Sequence, residues 1–221
     1  MAVIRTFRVE LIFLSLNYEI LLAFSMATFV LALSPGPDNI FVLIQSISNG
    51  KKYGLAVVAG LMTGCLVHTT LLAFGVSAII KNNPAIFTFI KMFGAAYLLY
   101  LAVMVYRGGD AISIAGETKN KNKLGSLYKQ GFIMNVLNPK VTIFFIAFFP
   151  GFLFSDSLSN VIQFYTLGFL FIMVSSLVFG AIAVLSGQIS NFLTANKRTG
   201  FVLKWIQVIV FIGIAIYLLI G

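Results

Sequence analysis

Ser34-Pro35-Gly36-Pro37-Asp38-Asn39 falls in the middle of an apolar run that extends from Leu21 to Ser48. A run of that length reads as a membrane-spanning helix, since ~20 residues at 1.5 Å rise cross a hydrocarbon core of about 30 Å. Each proline removes a backbone donor and clashes with the carbonyl four residues back. Two prolines around a glycine therefore leave several backbone groups unpaired. Such a break is tolerated at membrane depth only where it is buried in protein or lines a wet cavity. The device recurs at Asn135-Val136-Leu137-Asn138-Pro139-Lys140, near the start of the run Phe132–Phe154. Ser34 before Pro35 and Asn138 before Pro139 are cap-then-first-turn pairs, so each break is expected to begin a new half-helix.

The rest of the chain places these breaks in a polytopic membrane protein. Four further apolar runs are long enough to span: Leu55–Ile80, Ala85–Tyr106, Val161–Leu185 and Phe201–Ile220. Of the 221 residues, 60% are hydrophobic and only 10% charged, against about 25% charged in an ordinary soluble domain. So few charges cannot clothe a protein of this size in water, and the mean hydropathy of +1.02 agrees. The spans must be helices, because the short alternating segments of a barrel are absent. The expected fold is all-α with about six transmembrane helices, the first and fourth proline-broken. Helices one to three and four to six form two halves, about 19–106 and 131–221, joined by a basic loop at 107–130. Three spans per half is odd, so the second half is inverted relative to the first. Corresponding interrupted helices in inverted halves point to a transporter binding site near the midplane.

Loops are expected at Asn49-Gly50-Lys51-Lys52, Lys81-Asn82-Asn83-Pro84, Arg107–Gly131, Ser155–Asn160 and Ser186–Gly200. The net charge of +9 comes from these loops and is not interleaved with exposed aromatics, so it does not mark a nucleic-acid surface. Ten lysines and arginines lie in the first, third and fifth loops, counting Lys204 at the edge of the fifth, and three, Arg5, Arg8 and Lys81, lie on the other side. The positive-inside bias then places both termini outside the cytoplasm. Residues 1–18 read as an N-terminal extension; Leu11–Leu16 is too short for the core of a signal peptide. The single cysteine, Cys65, excludes an intrachain disulfide and reads as a small buried hydrophobe. The 23 phenylalanines read mostly as lipid-facing filler.

Asp38 and Lys140 accompany the breaks, and an ionised group within a span normally faces an interior path and is paired. The plainer alternatives are that Asp38 caps a helix start and Lys140 snorkels to the interface. An amino acid carries a carboxylate and an ammonium. Half-helix N-termini with Lys140 suit the first, and Asp38 with freed carbonyls suits the second. Asp38 is also a candidate for proton exchange. His68, the only histidine, reads either as an interhelical hydrogen-bonder or as a proton relay. Asn135 and Asn138 read as cavity lining, Gln45 as lining or packing. Gly60 and Gly64 form a small-xxx-small packing surface, and Gly94-Ala95-Ala96 another.

These same residues carry a resemblance. Leu33 to Asn39, then Gln45 to Leu55, then Gly60-Leu61-Met62-Thr63-Gly64 closely resemble the first half of the LysE/RhtB family of amino-acid exporters. Gly131 to Lys140, with the aromatic-aliphatic stretch to Phe148-Phe149-Pro150, is similar to that family's second signature. The resemblance begins at about Asn17. It implies a multi-pass protein of the bacterial inner membrane, with periplasmic termini by the charge count, that expels amino acids using the proton gradient. The implied substrate is neutral, of the homoserine, threonine or leucine kind, or lysine; the single acidic residue at depth disfavours a substrate with two positive charges. The implied site residues are Pro35, Gly36, Pro37, Asp38, Asn39, Asn135, Asn138, Pro139 and Lys140; Asp38 and His68 are proton-coupling candidates on the reading of the residues themselves. No cofactor or metal is expected, the partners are the solute, protons and lipid, and a homodimer is compatible with the sequence.

Two other classes are weaker. A divalent-cation exporter would want several carboxylates or thiolates at the breaks, and Asp38 is alone there. An intramembrane enzyme would need a nucleophile and a base on facing helices, and no Gly-x-Ser-x-Gly elbow is present.

Overall fold

A computed structural model describes residues 17–34, 36–77, 84–108, 123–195 and 198–220. Pro35, Arg5, Arg8, Lys81, Lys119, Lys121 and Lys197 lie outside the described residues, as does nearly all of the expected N-terminal extension. The described chain is helical: α1 Tyr18–Leu33, α2 Pro37–Asn49, α3 Lys51–Leu71, α4 Pro84–Arg107, α5 Leu124–Val136, α6 Pro139–Ile143, α7 Asn160–Val184, α8 Ser186–Ala195 and α9 Arg198–Ile220. A wider π turn, Leu72–Val76, continues α3. Another, Phe144–Phe148, continues α6 into a short 3₁₀ segment at Phe149–Phe152.

Among the described residues, Lys51–Val76, Thr88–Arg107, Asn160–Val184 and Gly200–Ile220 are each long and apolar enough to cross a membrane. The count rises to six if each bent pair is one span: α1 with α2, bent by 60°, and α5 with Pro139–Phe152, bent by 51°. Large apolar side chains on outward faces, such as Leu71, Phe89 and Leu177, are largely exposed, as suits a lipid solvent. The protein is an all-α membrane protein.

Local chemistry explains the helix starts. Asn17 caps α1 by accepting from the Ile20 N–H at 3.3 Å, and Ser159 caps α7 by accepting from Ile162 N–H at 3.4 Å. The loop expected at 49–52 contracts to one residue, Gly50, whose φ of +100° is open to glycine and strained for L side chains. The helix of the expected fourth run begins at Leu124, eight residues before Phe132, and Leu127, Gly131 and Asn135 form the buried face of α5. Part of the loop expected at 186–200 is the helix α8.

Packing is closest between α3 and α5. A Cβ added to Gly60 would collide with the Tyr128 carbonyl, and one added to Gly131 with the Val57 carbonyl. Backbone therefore meets backbone there, as small residues permit in lipid. One added to Gly64 would lie 2.5 Å from Asn135 Oδ1. Tyr128 Oη bridges the same pair of helices by donating to Thr63 Oγ1 at 3.1 Å. Gly94 packs likewise against Ala147.

Two apolar clusters form the core. The larger is aromatic. Phe24 packs edge-on against Phe149 at 5.0 Å, and Phe145 stacks on Phe149 at 4.2 Å. The expectation of lipid-facing phenylalanines is therefore corrected: Phe24, Phe144, Phe145, Phe148, Phe149 and Phe164 are fully buried. The π turn at Phe144–Phe148 turns consecutive rings inward, a face that regular helical periodicity does not foresee. The smaller cluster gathers Ala32, Val57, Val58, Leu61 and Phe179. The two helix breaks lie where the clusters meet.

Candidate functional site

At the first break α1 runs out of partners for its last carbonyls. Ser34 N–H turns back to the carbonyls of Val30 and Leu31, each at 3.1 Å. The Ala32 carbonyl is reached from beyond the break, by Asn39 Nδ2 at 2.7 Å. Asn39 thus straps the two half-helices together. Pro37 opens α2, whose N-cap is Gly36 and offers no side-chain acceptor. The N-terminal amides of α2 are left without a side-chain cap, next to the Asp38 carboxylate.

The second break is satisfied differently. In an unbroken helix the Asn135 carbonyl would accept from residue 139, but Pro139 has no N–H. It accepts instead from Asn138 N–H at 3.1 Å and from His68 Nε2 at 3.2 Å. A carbonyl only accepts, so His68 carries its hydrogen on Nε2. Asn138 then uses both ends of its amide. Its Oδ1 accepts from Lys140 N–H at 3.0 Å, capping α6. Its Nδ2 donates to Asp38 Oδ2 at 3.2 Å. That last bond joins the two breaks across 100 residues of sequence.

A cavity of about 60 Å³ lies at this junction. It is lined by Gly36, Pro37, Asp38 and Asn39 of the first break, by Asn135, Asn138 and Lys140 of the second, and by Leu61, Cys65, Phe171, Ser175 and Phe179 among others. Such a space holds a few waters and is smaller than the ~300 Å³ at which ligand pockets usually begin. Lys140 and Asp38 attract one another. The Lys140 ammonium lies 4.8 Å from the centroid of the Phe211 ring, a cation–π contact, and beside Gly36, where an added Cβ would be 3.7 Å from Nζ. One anion and one cation therefore share a small cavity with uncapped helix amides.

Of the residues expected at the site, seven line this cavity. Pro139 directs α6 without lining it, and Pro35 lies outside the described residues. His68, 5% exposed, stacks near Phe145 at 5.4 Å and serves the Asn135 carbonyl away from the lining. Gln45 accepts from Asn49 Nδ2 at 3.0 Å within α2 and is also absent from the lining. Cys65, expected only as a small hydrophobe, lines the cavity and accepts a weak 3.5 Å contact from Asn135 Nδ2. Among the described residues no three His, Cys, Asp or Glu side chains gather as a metal would need. Ser175 and the Phe171–Phe179 face of α7 were not expected. A hydroxyl within an apolar run is a faint signal, because most such hydroxyls bond their own helix.

Comparison with known proteins places the chain among translocators. The sequence model of the LysE type translocator matches residues 29–221. A homoserine/homoserine lactone efflux protein of Salmonella typhimurium is 29% identical over 183 residues, covering 83% of this chain and 88% of the relative. The protein of the same description from Salmonella typhi matches equally. An uncharacterized membrane protein of Vibrio cholerae is 26% identical over 178 residues, covering 80% of this chain and 86% of that one. No solved structure matches.

Proposed function

The chain belongs to the LysE type translocator family, and from that premise we propose that it exports an amino acid across the bacterial inner membrane by exchange with protons. The observation that carries the proposal is the Asn138–Asp38 hydrogen bond, which joins the two helix breaks at one cavity that also holds Lys140. A zwitterion fits that charge pattern. Its carboxylate suits the uncapped amides of α2 and the Lys140 ammonium, and its ammonium suits Asp38. The description of the Salmonella relatives supports a solute of the homoserine kind.

Coupling follows from competition at one group. Asp38 ionised holds the solute's ammonium; Asp38 protonated has no charge to offer it. A proton arriving from outside would then displace the solute, and its loss to the cytoplasm would prepare the next cycle. The halves around the breaks act as inverted repeats that rock about this site, with both termini on the periplasmic side.

The test is efflux from cells or vesicles preloaded with labelled amino acids under an imposed pH gradient. Expression should speed the release of at least one amino acid, and release should slow when the gradient is collapsed. No acceleration across a panel of neutral and basic amino acids refutes the proposal. Asp38→Asn should insert normally and lose gradient-driven release, since the amide neither ionises nor attracts an ammonium.

A further inference from the structure

Ser175 lies on α7, 1% exposed, with its Oγ unpartnered and its residue lining the cavity. Many helical hydroxyls in this molecule are satisfied by their own helix. Ser25, Ser46, Thr63, Thr69, Thr70 and Thr166 all donate to the carbonyl four residues back, at 2.7–2.9 Å. Ser175 does not use that default. Thr28, Ser34 and Ser77 also carry unpartnered hydroxyls, but none of the three lines the cavity. Phe171 and Phe179, one turn before and after Ser175 on the same face of α7, line the cavity beside it. Asn135, which lines the same cavity from α5, presents a second buried, unpartnered acceptor, Oδ1. The wall formed by α7 is thus apolar apart from one hydroxyl and contributes none of the charges of the breaks.

We propose that Ser175 is a specificity-determining residue of the transport site, recognising a hydroxyl on the solute's side chain. This rests on the exporter reading above, in which the breaks hold the ammonium and carboxylate and leave the α7 wall to the side chain. A solute hydroxyl both donates and accepts. It can take the Ser175 hydrogen or give its own to Ser175 or Asn135 Oδ1; an aliphatic side chain of equal size satisfies none of them. A site with a buried polar group discriminates against a ligand that leaves it unpaired.

The experiment compares isosteric pairs, threonine with valine and homoserine with norvaline, as export rates from preloaded cells. The hydroxyl member of each pair should be exported faster by the unaltered protein, and Ser175→Ala should lower that preference about tenfold. Ser175→Thr, which keeps a hydroxyl, should retain most of it. If Ser175→Ala does not accumulate in the membrane, Ser175→Cys, a weak donor of similar size, carries the same comparison. Export with the preference unchanged in the variant overturns the role of Ser175 and leaves the exporter reading standing. An equal loss for both members of a pair overturns it too, since that marks a structural residue. Export of no amino acid by the unaltered protein removes the exporter reading and this inference with it.

Discussion

Asn138 performs two separable tasks, and substitutions can divide them. Its Oδ1 caps α6 at 3.0 Å and its Nδ2 ties that helix to Asp38 at 3.2 Å. Asn138→Ser keeps a capping oxygen but is too short to reach Asp38. It loses a hydrogen bond to a charged group, a cost of about 1.5–3 kcal/mol. Asn138→Ala loses the cap as well, adding about 1 kcal/mol. Asn138→Asp keeps the cap and sets an oxygen with negative charge where the donor stood. Two carboxylates at the 3.2 Å of the present contact would repel by about 5 kcal/mol at an effective dielectric of ~20, so the pair takes up a proton instead, which caps the cost at about 4 kcal/mol at neutral pH. The expected order of stability is Asn, then Ser, then Ala, with Asp lowest at neutral pH. Thermal unfolding of the purified protein in detergent, followed by the loss of monodisperse protein on heating, measures it. If Asn138→Asp matched Asn138→Ser, residue 138 would not face Asp38 in the folded protein. The two breaks would then not be joined, and the cavity would lose its defining contact.

Three further outcomes follow from other contacts. Gly131→Leu should force α3 and α5 apart, because the first added atom meets the Val57 carbonyl. A loss of at least about 1–3 kcal/mol is expected in the same assay, and an unchanged melting curve refutes the close approach. His68→Gln should transport nearly as well as the parent, since an amide N–H can still serve the Asn135 carbonyl. His68→Leu should cost about 1 kcal/mol of stability; loss of pH-gradient-driven release in a stable His68→Gln would instead show that His68 carries protons. Gln163, 1% exposed, accepts from Phe154 and Ser155 N–H at 2.7 and 3.0 Å and donates to the Ser155 and Leu158 carbonyls at 2.8 and 2.9 Å. Gln163→Leu should therefore destabilise by roughly 2–4 kcal/mol and make the 153–159 segment the first site of protease cleavage.

The parts of this architecture that were legible in advance are those dictated by backbone chemistry. Prolines 37 and 139 forbid continuous hydrogen bonding whatever surrounds them, and Asp38 is too costly in hydrocarbon to be incidental. What escaped the sequence depends on partners. His68 satisfies a carbonyl orphaned by a proline 71 positions later, and nothing in its own neighbours announces that. Asn39 lines the cavity, but its amide nitrogen is spent on the Ala32 carbonyl beyond the break, a partner that nothing in the sequence announces. The phenylalanines of the 144–149 stretch turn inward because a π turn and a 3₁₀ segment break the 3.6-residue period from which an inward face would be inferred. Ser175 matters only because a cavity lies against it.

The cavity's small volume bears on how the proposed cycle would run. At about 60 Å³ it does not admit an amino acid beside Asp38 and Lys140, so loading must part the breaks. Empty, the charges are already provided for: Asp38 by Asn138, Lys140 by the face of Phe211. A solute that enters exchanges those contacts for its own ammonium and carboxylate, so the charges need not be exposed to lipid at any stage. The exchange also makes loading and opening one event, because the bond the ammonium replaces on Asp38 is the bond that holds the two breaks together. A neutral solute lacking the ammonium could not take that place, and a proton could, by removing the charge that attracts the Asn138 amide. Solute and proton would thus release the same latch, which is the condition for exchanging one against the other.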